Sequence, residues 1–119
     1  YAARGGLQGQ PFEWGEHFTP NNQHMANTWQ GEFPVENTQE DGYAGIAPVR
    51  SFSPNCYGLH DMTGNVWEWT TTTARRNSRI TKGGSYLCAP NYCIRFRPAA
   101  KSPITEDTST NHIGFRCVR

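Results

Sequence analysis

Two cysteines five residues apart, Cys88 and Cys93, flank Ala89-Pro90-Asn91-Tyr92, a stretch whose proline and asparagine mark a turn able to bring both thiols together. Two converging thiolates form a soft site, suited to Cu(I), zinc or a redox disulfide. If residues 92–97 are extended, Tyr92, Ile94 and Phe96 face one way and Cys93, Arg95 and Arg97 the other. Two cations on the face of Cys93 would raise its thiolate fraction, the form that attacks electrophiles and binds metals. On spacing alone, a structural disulfide or simple packing accounts for the pair equally well. Structural zinc wants four ligands, and His17, His24, His60 and His112 show no paired spacing near the cysteines. The same scatter lacks the two-histidine, one-carboxylate set of a nonheme iron oxidase.

Oxygen ligands are the second chemical theme. In Gly58-Leu59-His60-Asp61-Met62-Thr63-Gly64-Asn65-Val66-Trp67-Glu68, Asp61 and Glu68 can meet across a glycine turn, with carbonyls such as those of Gly64 and Val66 completing a hard-cation shell. Asn27-Thr28 with Glu40-Asp41-Gly42-Tyr43 is a second such set. Asp and Asn beside Gly more often just make turns, so these loops alone are weak pointers to a metal.

The elements that must hold these groups are short. Hydrophobic residues are only 35% of the 119-residue chain while aromatic residues are 13%, so large rings must supply much of the burial of a single core. Trp14, Trp29, Trp67 and Trp69 therefore read as core first and as ligand-stacking platforms second. Sustained helical periodicity is nearly absent, and Gly5-Gly6, Pro20-Asn21-Asn22, Asp41-Gly42, Pro54-Asn55 and Gly83-Gly84 punctuate the chain. Strands are expected at 66–70, 79–82, 92–97 and 113–118, with 102–111 a polar loop. This suits an irregular, loop-rich α+β domain.

A formal charge of +1 with scattered Lys and Arg argues against a nucleic-acid partner, and no run has the length needed to span a bilayer. Tyr1-Ala2-Ala3-Arg4-Gly5-Gly6 reads as a helix end with its glycine stop, so an upstream part is expected. Four cysteines leave the redox compartment open. The lack of an Asn-x-Ser/Thr acceptor favours a bacterial cytoplasm over a secretory lumen.

Longer words run in order through nearly the whole chain: Tyr1-Ala2-Ala3-Arg4-Gly5-Gly6, Trp14-Gly15, Ala26-Asn27-Thr28-Trp29-Gln30-Gly31-Glu32-Phe33-Pro34, Asn37-Thr38 with Glu40-Asp41-Gly42, Tyr57-Gly58-Leu59, Gly64-Asn65-Val66-Trp67-Glu68-Trp69, Gly83-Gly84-Ser85-Tyr86 and Gly114-Phe115-Arg116-Cys117. In these words the chain resembles the formylglycine-generating enzyme, or sulfatase-modifying factor, family. The resemblance implies a scaffold related to C-type lectins, of which residues 1–119 would be the C-terminal portion of one domain. It implies copper-dependent oxidation of a sulfatase cysteine, within Cys-x-Pro-x-Arg, to formylglycine by O2, through a thioaldehyde that hydrolyses. Cys88 and Cys93 would bind Cu(I) and take up the substrate cysteine. Ser85 falls at the family's active-site serine, Trp67 at a tryptophan of the same site, and Arg95 and Arg97 would give electrostatic support. His112 stands where an Asn associated with the cleft is usual. One structural calcium would take Asn27, Asp41 and the carbonyls of Thr28 and Tyr43; a second would take Asp61, Glu68 and the carbonyls of Gly64 and Val66. The partner implied is an unfolded sulfatase polypeptide, and the full-length protein is expected to be a monomer. The rival reading is a non-catalytic peptide- or glycan-binding module on the same scaffold, which needs neither thiol.

The chain departs from the family pattern at several points. Ala89 follows the first cysteine where a polar residue such as His is frequent, 70–77 is shorter than usual, Cys56 replaces a common Gly, and Cys117 has no equivalent of its usual upstream partner. Family domains are about twice this length. The 119-residue chain alone is therefore expected to be marginal or aggregation-prone, and a sharp, cooperative thermal transition would refute that.

Overall fold

The computed structural model describes residues 1–118. With turn-formers spread so evenly, the helical content among them is two single 3-10 turns, Ala2–Arg4 and Pro20–Asn22. The first ends as its glycine signalled: Gly5 is left-handed at φ 55° and its N–H reaches back to the Ala2 carbonyl. The regular structure is a four-stranded sheet of β1 (Trp67–Arg75), β2 (Ser78–Lys82), β3 (Ser102–Thr105) and β4 (Ile113–Gly114), ordered β3-β2-β1-β4. β1 pairs β2 and β2 pairs β3 antiparallel, while β4 lies parallel to β1. The irregular, loop-rich α+β architecture is what forms, with its helical share reduced to those two turns. No helix among the described residues is long and apolar enough to cross a membrane.

Four expectations need correction. Residues 92–97 form successive turns, closed by Cys93 N–H on Ala89 O at 2.8 Å and Ala100 N–H on Arg97 O at 2.9 Å. Alternation fails because Phe96 is driven into the core at 1% exposure, whereas Tyr92 and Ile94 stay exposed. The shared face proposed for Cys93, Arg95 and Arg97 therefore does not exist. Within 102–111, Ser102–Thr105 is a strand and not a loop; Pro103, which lacks an N–H, is tolerated because β3 is an edge strand. In 113–118 only Ile113–Gly114 pairs, after which the chain leaves the sheet to deliver Arg116 to Glu68. β1 also runs on through Arg75, turning at Arg76-Asn77 with Asn77 left-handed at φ 58°.

The core is small and aromatic, as the composition demanded. Trp67, Cys88 and Phe96 are its buried members, with Phe12, Phe18, Cys93 and Ile113 packed against them. Phe18 lies 5.2 Å and Phe12 6.0 Å, ring centre to ring centre, from Phe96. Burial of Phe96 alone stabilises by about 2–3 kcal/mol. Its backbone reaches this position because Gly84, at φ 74°, has no side chain: a Cβ there would sit 2.8 Å from Phe96 Cα. Trp14, Trp29 and Trp69 are only half-buried, so the core reading holds fully for Trp67 alone.

The loops are joined by buried amides. Asn27 Nδ2 donates to Gly45 O at 2.8 Å and to Asn65 Oδ1 at 3.0 Å, and Asn65 in turn holds both backbone groups of Ala47. Gly64 packs so tightly on Asn27 that a Cβ would land on the Asn27 carbonyl oxygen. These bonds do for the loops what a sheet ladder would otherwise do, since each buried polar group must find a partner.

Candidate active site

The turn carrying the two thiols is built from its own backbone. Cys88 N–H donates to Ser85 O at 3.0 Å, Leu87 N–H to Ser85 Oγ at 3.3 Å, and Tyr92 N–H to Ala89 O at 3.1 Å. From outside, Trp29 N–H holds Cys88 O at 2.9 Å and Phe33 stacks on Tyr92 at 4.6 Å. The result places Cys88 Sγ 3.5 Å from Cys93 Sγ, close enough to share a proton or a soft cation and too far apart for an S–S bond.

The two thiols differ in environment. Cys88 is buried against Trp67 and Phe96, whereas Cys93 is half-buried. Burial pushes the Cys88 thiol up to about 11; the Ser85 backbone pulls against the rise, and the Cys93 thiol adds to it. Alkylation at pH 7.5 is accordingly expected to label the exposed Cys56 and Cys117 roughly 100-fold faster than Cys88, as read by peptide mass mapping over time. Comparable rates at Cys88 and Cys56 would contradict the burial described.

Of the other proposed site residues, Ser85 is buried at 1% exposure beneath the turn, and Trp67 lies in the thiol cluster. His112 is half-buried; its carbonyl takes the Trp67 N–H at 2.8 Å and its Nδ1 faces Asn111 Oδ1 at 3.4 Å. Asn111 Nδ2 also donates to the Tyr86 hydroxyl at 3.2 Å. Arg95 is exposed in the turn after Cys93.

Of the oxygen set Asn27, Thr28, Asp41 and Tyr43, Asp41 lies against the backbone of Thr28 and Tyr43. Asp41 accepts from Thr28 N–H at 2.9 Å, Tyr43 N–H at 3.0 Å and Gln30 Nε2 at 3.1 Å, and Gln30 Nε2 also reaches Thr28 O at 2.5 Å. Asn27 Oδ1 is buried without a donor, the kind of orphan a hard cation would satisfy. The second set fits less well. Asp61, Val66 and Glu68 line one cavity of about 340 Å³, but Arg116 grips both Glu68 carboxylate oxygens and the carbonyls of His60 and Asp61. Asp61 Oδ2 takes Arg50 N–H at 2.7 Å, and Gly64 donates to Gly83 O at 2.8 Å. Nearby, Glu13 is buried at 7% exposure and its Oε2 has no partner. Burial pushes its carboxyl up to about 7, with Thr63 and Arg116 pulling down and Asp61 and Glu68 pushing up.

A profile described as the sulfatase-modifying factor enzyme 1-like domain matches residues 1–119. The chain belongs to that family. The formylglycine-generating enzyme of Mus musculus is 47% identical over 98% of this chain and 36% of its own length, and that of Mycobacterium tuberculosis is 47% identical over 99% of the chain and 47% of its length. This sulfatase-modifying factor chain thus spans less than half of those relatives. A Mus musculus protein named inactive C-alpha-formylglycine-generating enzyme 2 is 42% identical over 98% of the chain and 39% of its own length. Membership of the sulfatase-modifying factor family thus embraces active and inactive proteins, and the site has to decide. In fold, the chain superposes on PvdO from Pseudomonas aeruginosa with a TM-score of 0.75 at 24% identity, over 97% of this chain and 47% of that one.

Several residues that support the thiol turn and the loops around it escaped sequence reasoning. Gln30, Asn65 and Phe96 carry no local signal of their roles, because each works through partners 11 to 38 positions away or through tertiary burial. Arg116 sat inside a family word, but its clamp on Glu68 spans 48 positions.

Proposed function

We propose that this chain forms the thiol-bearing part of an enzyme that oxidises a cysteine of a sulfatase polypeptide to formylglycine, using Cu(I) and O2. The observation that carries the reading is the pair of free thiols 3.5 Å apart, with Cys88 sealed in the aromatic cluster, in a chain 47% identical to enzymes of that name. The donor set fits the metal, because two adjacent sulfurs on a pinned turn form a soft, preformed site. Bound there, Cu(I) would supply the electron transfer to O2 that thiols alone lack.

The chain's own residues hold and orient. Cys88 and Cys93 would hold the metal, and Cys93, the better exposed of the two, would meet the incoming substrate cysteine. Ser85 stabilises the turn and offers its hydroxyl beside Cys88, while Trp67 and Phe96 keep water from the inner thiol. Arg95, exposed two residues after Cys93, is available to contact the substrate chain, and His112 fixes the Trp67 backbone at the edge of the site. Asn27, Asp41 and the carbonyls of Thr28 and Tyr43 would hold a structural Ca2+ that satisfies the orphaned Asn27 oxygen. Asp61, Glu68, Gly64 and Val66 would take a second ion only after Arg116 releases Glu68.

The test is aldehyde formation, read by mass spectrometry, on a Cys-x-Pro-x-Arg peptide incubated with copper-loaded protein, O2 and a thiol reductant. It is run on the chain alone and on the chain joined to the remainder of a family domain. Product from the joined protein is expected. An unreacted peptide, with the fold intact and Cu(I) bound, would instead assign the non-catalytic binding module.

A further inference from the structure

Beside the thiol turn lies a groove of about 420 Å³ whose walls include Phe18, His24, Trp29, Glu40, Pro90 and Asn91. It adjoins the reactive pair directly. Pro90 and Asn91 lie on the turn between the two cysteines, and Phe18, which forms one wall, also packs on Phe96 and the thiol cluster. Phe18 thus touches both the groove and the cluster that holds Cys88.

The groove is pre-organised. Trp29 is fixed by its backbone N–H on Cys88 O at 2.9 Å, its indole N–H on Glu36 O at 2.9 Å and an edge-on contact with Phe33 at 5.1 Å. Glu40 Oε2 lies 3.5 Å from His24 Nε2 and Glu40 Oε1 accepts from Thr38 Oγ1 at 3.1 Å, while the Glu40 side chain, 64% exposed, keeps room for another donor. Phe18, Trp29 and Pro90, with Glu40 as the one carboxylate among polar lining groups that include Thr19, Gln30 and Asn91, match a long aliphatic stem that ends in a cation.

We propose that this groove is a subsite for a basic side chain, Lys or Arg, that lies outside the Cys-x-Pro-x-Arg core of the polypeptide whose cysteine reaches Cys88 and Cys93, with Glu40 as its counter-charge. The inference rests on the oxidase reading for the identity of that polypeptide, and it adds a specificity determinant on this chain.

The test uses the chain joined to the remainder of a family domain and unreactive Ser-x-Pro-x-Arg peptides. One extra Arg is moved residue by residue along neutral flanks, and Kd is read from tryptophan fluorescence. One register is expected to bind about tenfold tighter than the neutral-flank peptide, and the gain to vanish in Glu40→Lys and shrink in the isosteric Glu40→Gln. Glu40 is exposed, so both variants should keep the wild-type circular dichroism. Equal Kd at every register, or a gain that survives Glu40→Lys, overturns the proposal. Aldehyde assays on the cysteine peptide separate the two ideas. Turnover without a register effect refutes the subsite alone, whereas a register effect without turnover leaves the subsite and refutes the oxidase.

Discussion

Replacing Cys88 by Ser is expected to eliminate stoichiometric Cu(I) uptake and to lower aldehyde formation by at least about 10³-fold, with Cys93→Ser doing the same. The two sulfurs act as one unit at 3.5 Å, so the loss of either leaves a single soft donor that cannot hold the metal alone. The change is small in volume, and the buried hydroxyl of the Cys88→Ser variant has the Ser85 backbone beside it, so destabilisation should stay near 1–2 kcal/mol. Copper affinity by competition with a chromophoric chelator and aldehyde yield by mass spectrometry are the two readouts. Cys56→Ser and Cys117→Ser, whose thiols are exposed and unpaired, should leave both untouched. A Cys88→Ser variant that still binds one Cu(I) would move the metal elsewhere and remove the basis for the oxidase assignment.

The second large effect concerns stability. Glu13 has a folded-state value of about 7 against an ordinary 4.5, so between those pH values the folded chain holds a proton that the unfolded chain has released. Stability contributed at this residue therefore falls as pH rises from about 4.5 to 7 and stays low above that. The penalty approaches about 3 kcal/mol above pH 7, and about 2 kcal/mol of it develops between pH 5.5 and 8. Glu13→Gln keeps the shape, removes the ionisable group and should stabilise at pH 8 by roughly that 2–3 kcal/mol while flattening the pH profile. Urea midpoints at pH 5.5 and 8 for both proteins test this. A wild-type midpoint that rises with pH while Glu13→Gln follows it in parallel would show that the carboxyl is not the source.

What could be read in the sequence was mostly local. The Gly5 stop, the start of β1 at the Val-Trp-Glu-Trp run, β2 and the turn that joins the two cysteines all rest on neighbours within a few positions. What could not be read is decided at a distance. Phe96 belonged by alternation with Tyr92 and Ile94, yet the space opened by Gly84 draws it alone into the core. β3 was hidden by its polar composition and by Pro103, which only the edge position of the strand excuses. The set of Asp61 and Glu68 read as able to close on a cation, though weakly, because nothing near Glu68 in sequence announces Arg116. Family resemblance pointed to Ser85 and Trp67; the reasons they sit where they do, a turn hydrogen bond and an aromatic cluster, became visible only in three dimensions.

The strand order β3-β2-β1-β4 has a further consequence for how the protein is made. Its last strand pairs with the first, Trp67 with Ile113, and Ile113 packs on the thiol cluster while Arg116 closes on Glu68. During vectorial synthesis the cysteine turn therefore leaves the ribosome before the residues that finish its surroundings. Until 112–116 follow, Trp67 lacks its backbone partner and Cys88 part of its cover. A released chain that ends before residue 112 should leave Cys88 open to oxidants that the completed sheet excludes.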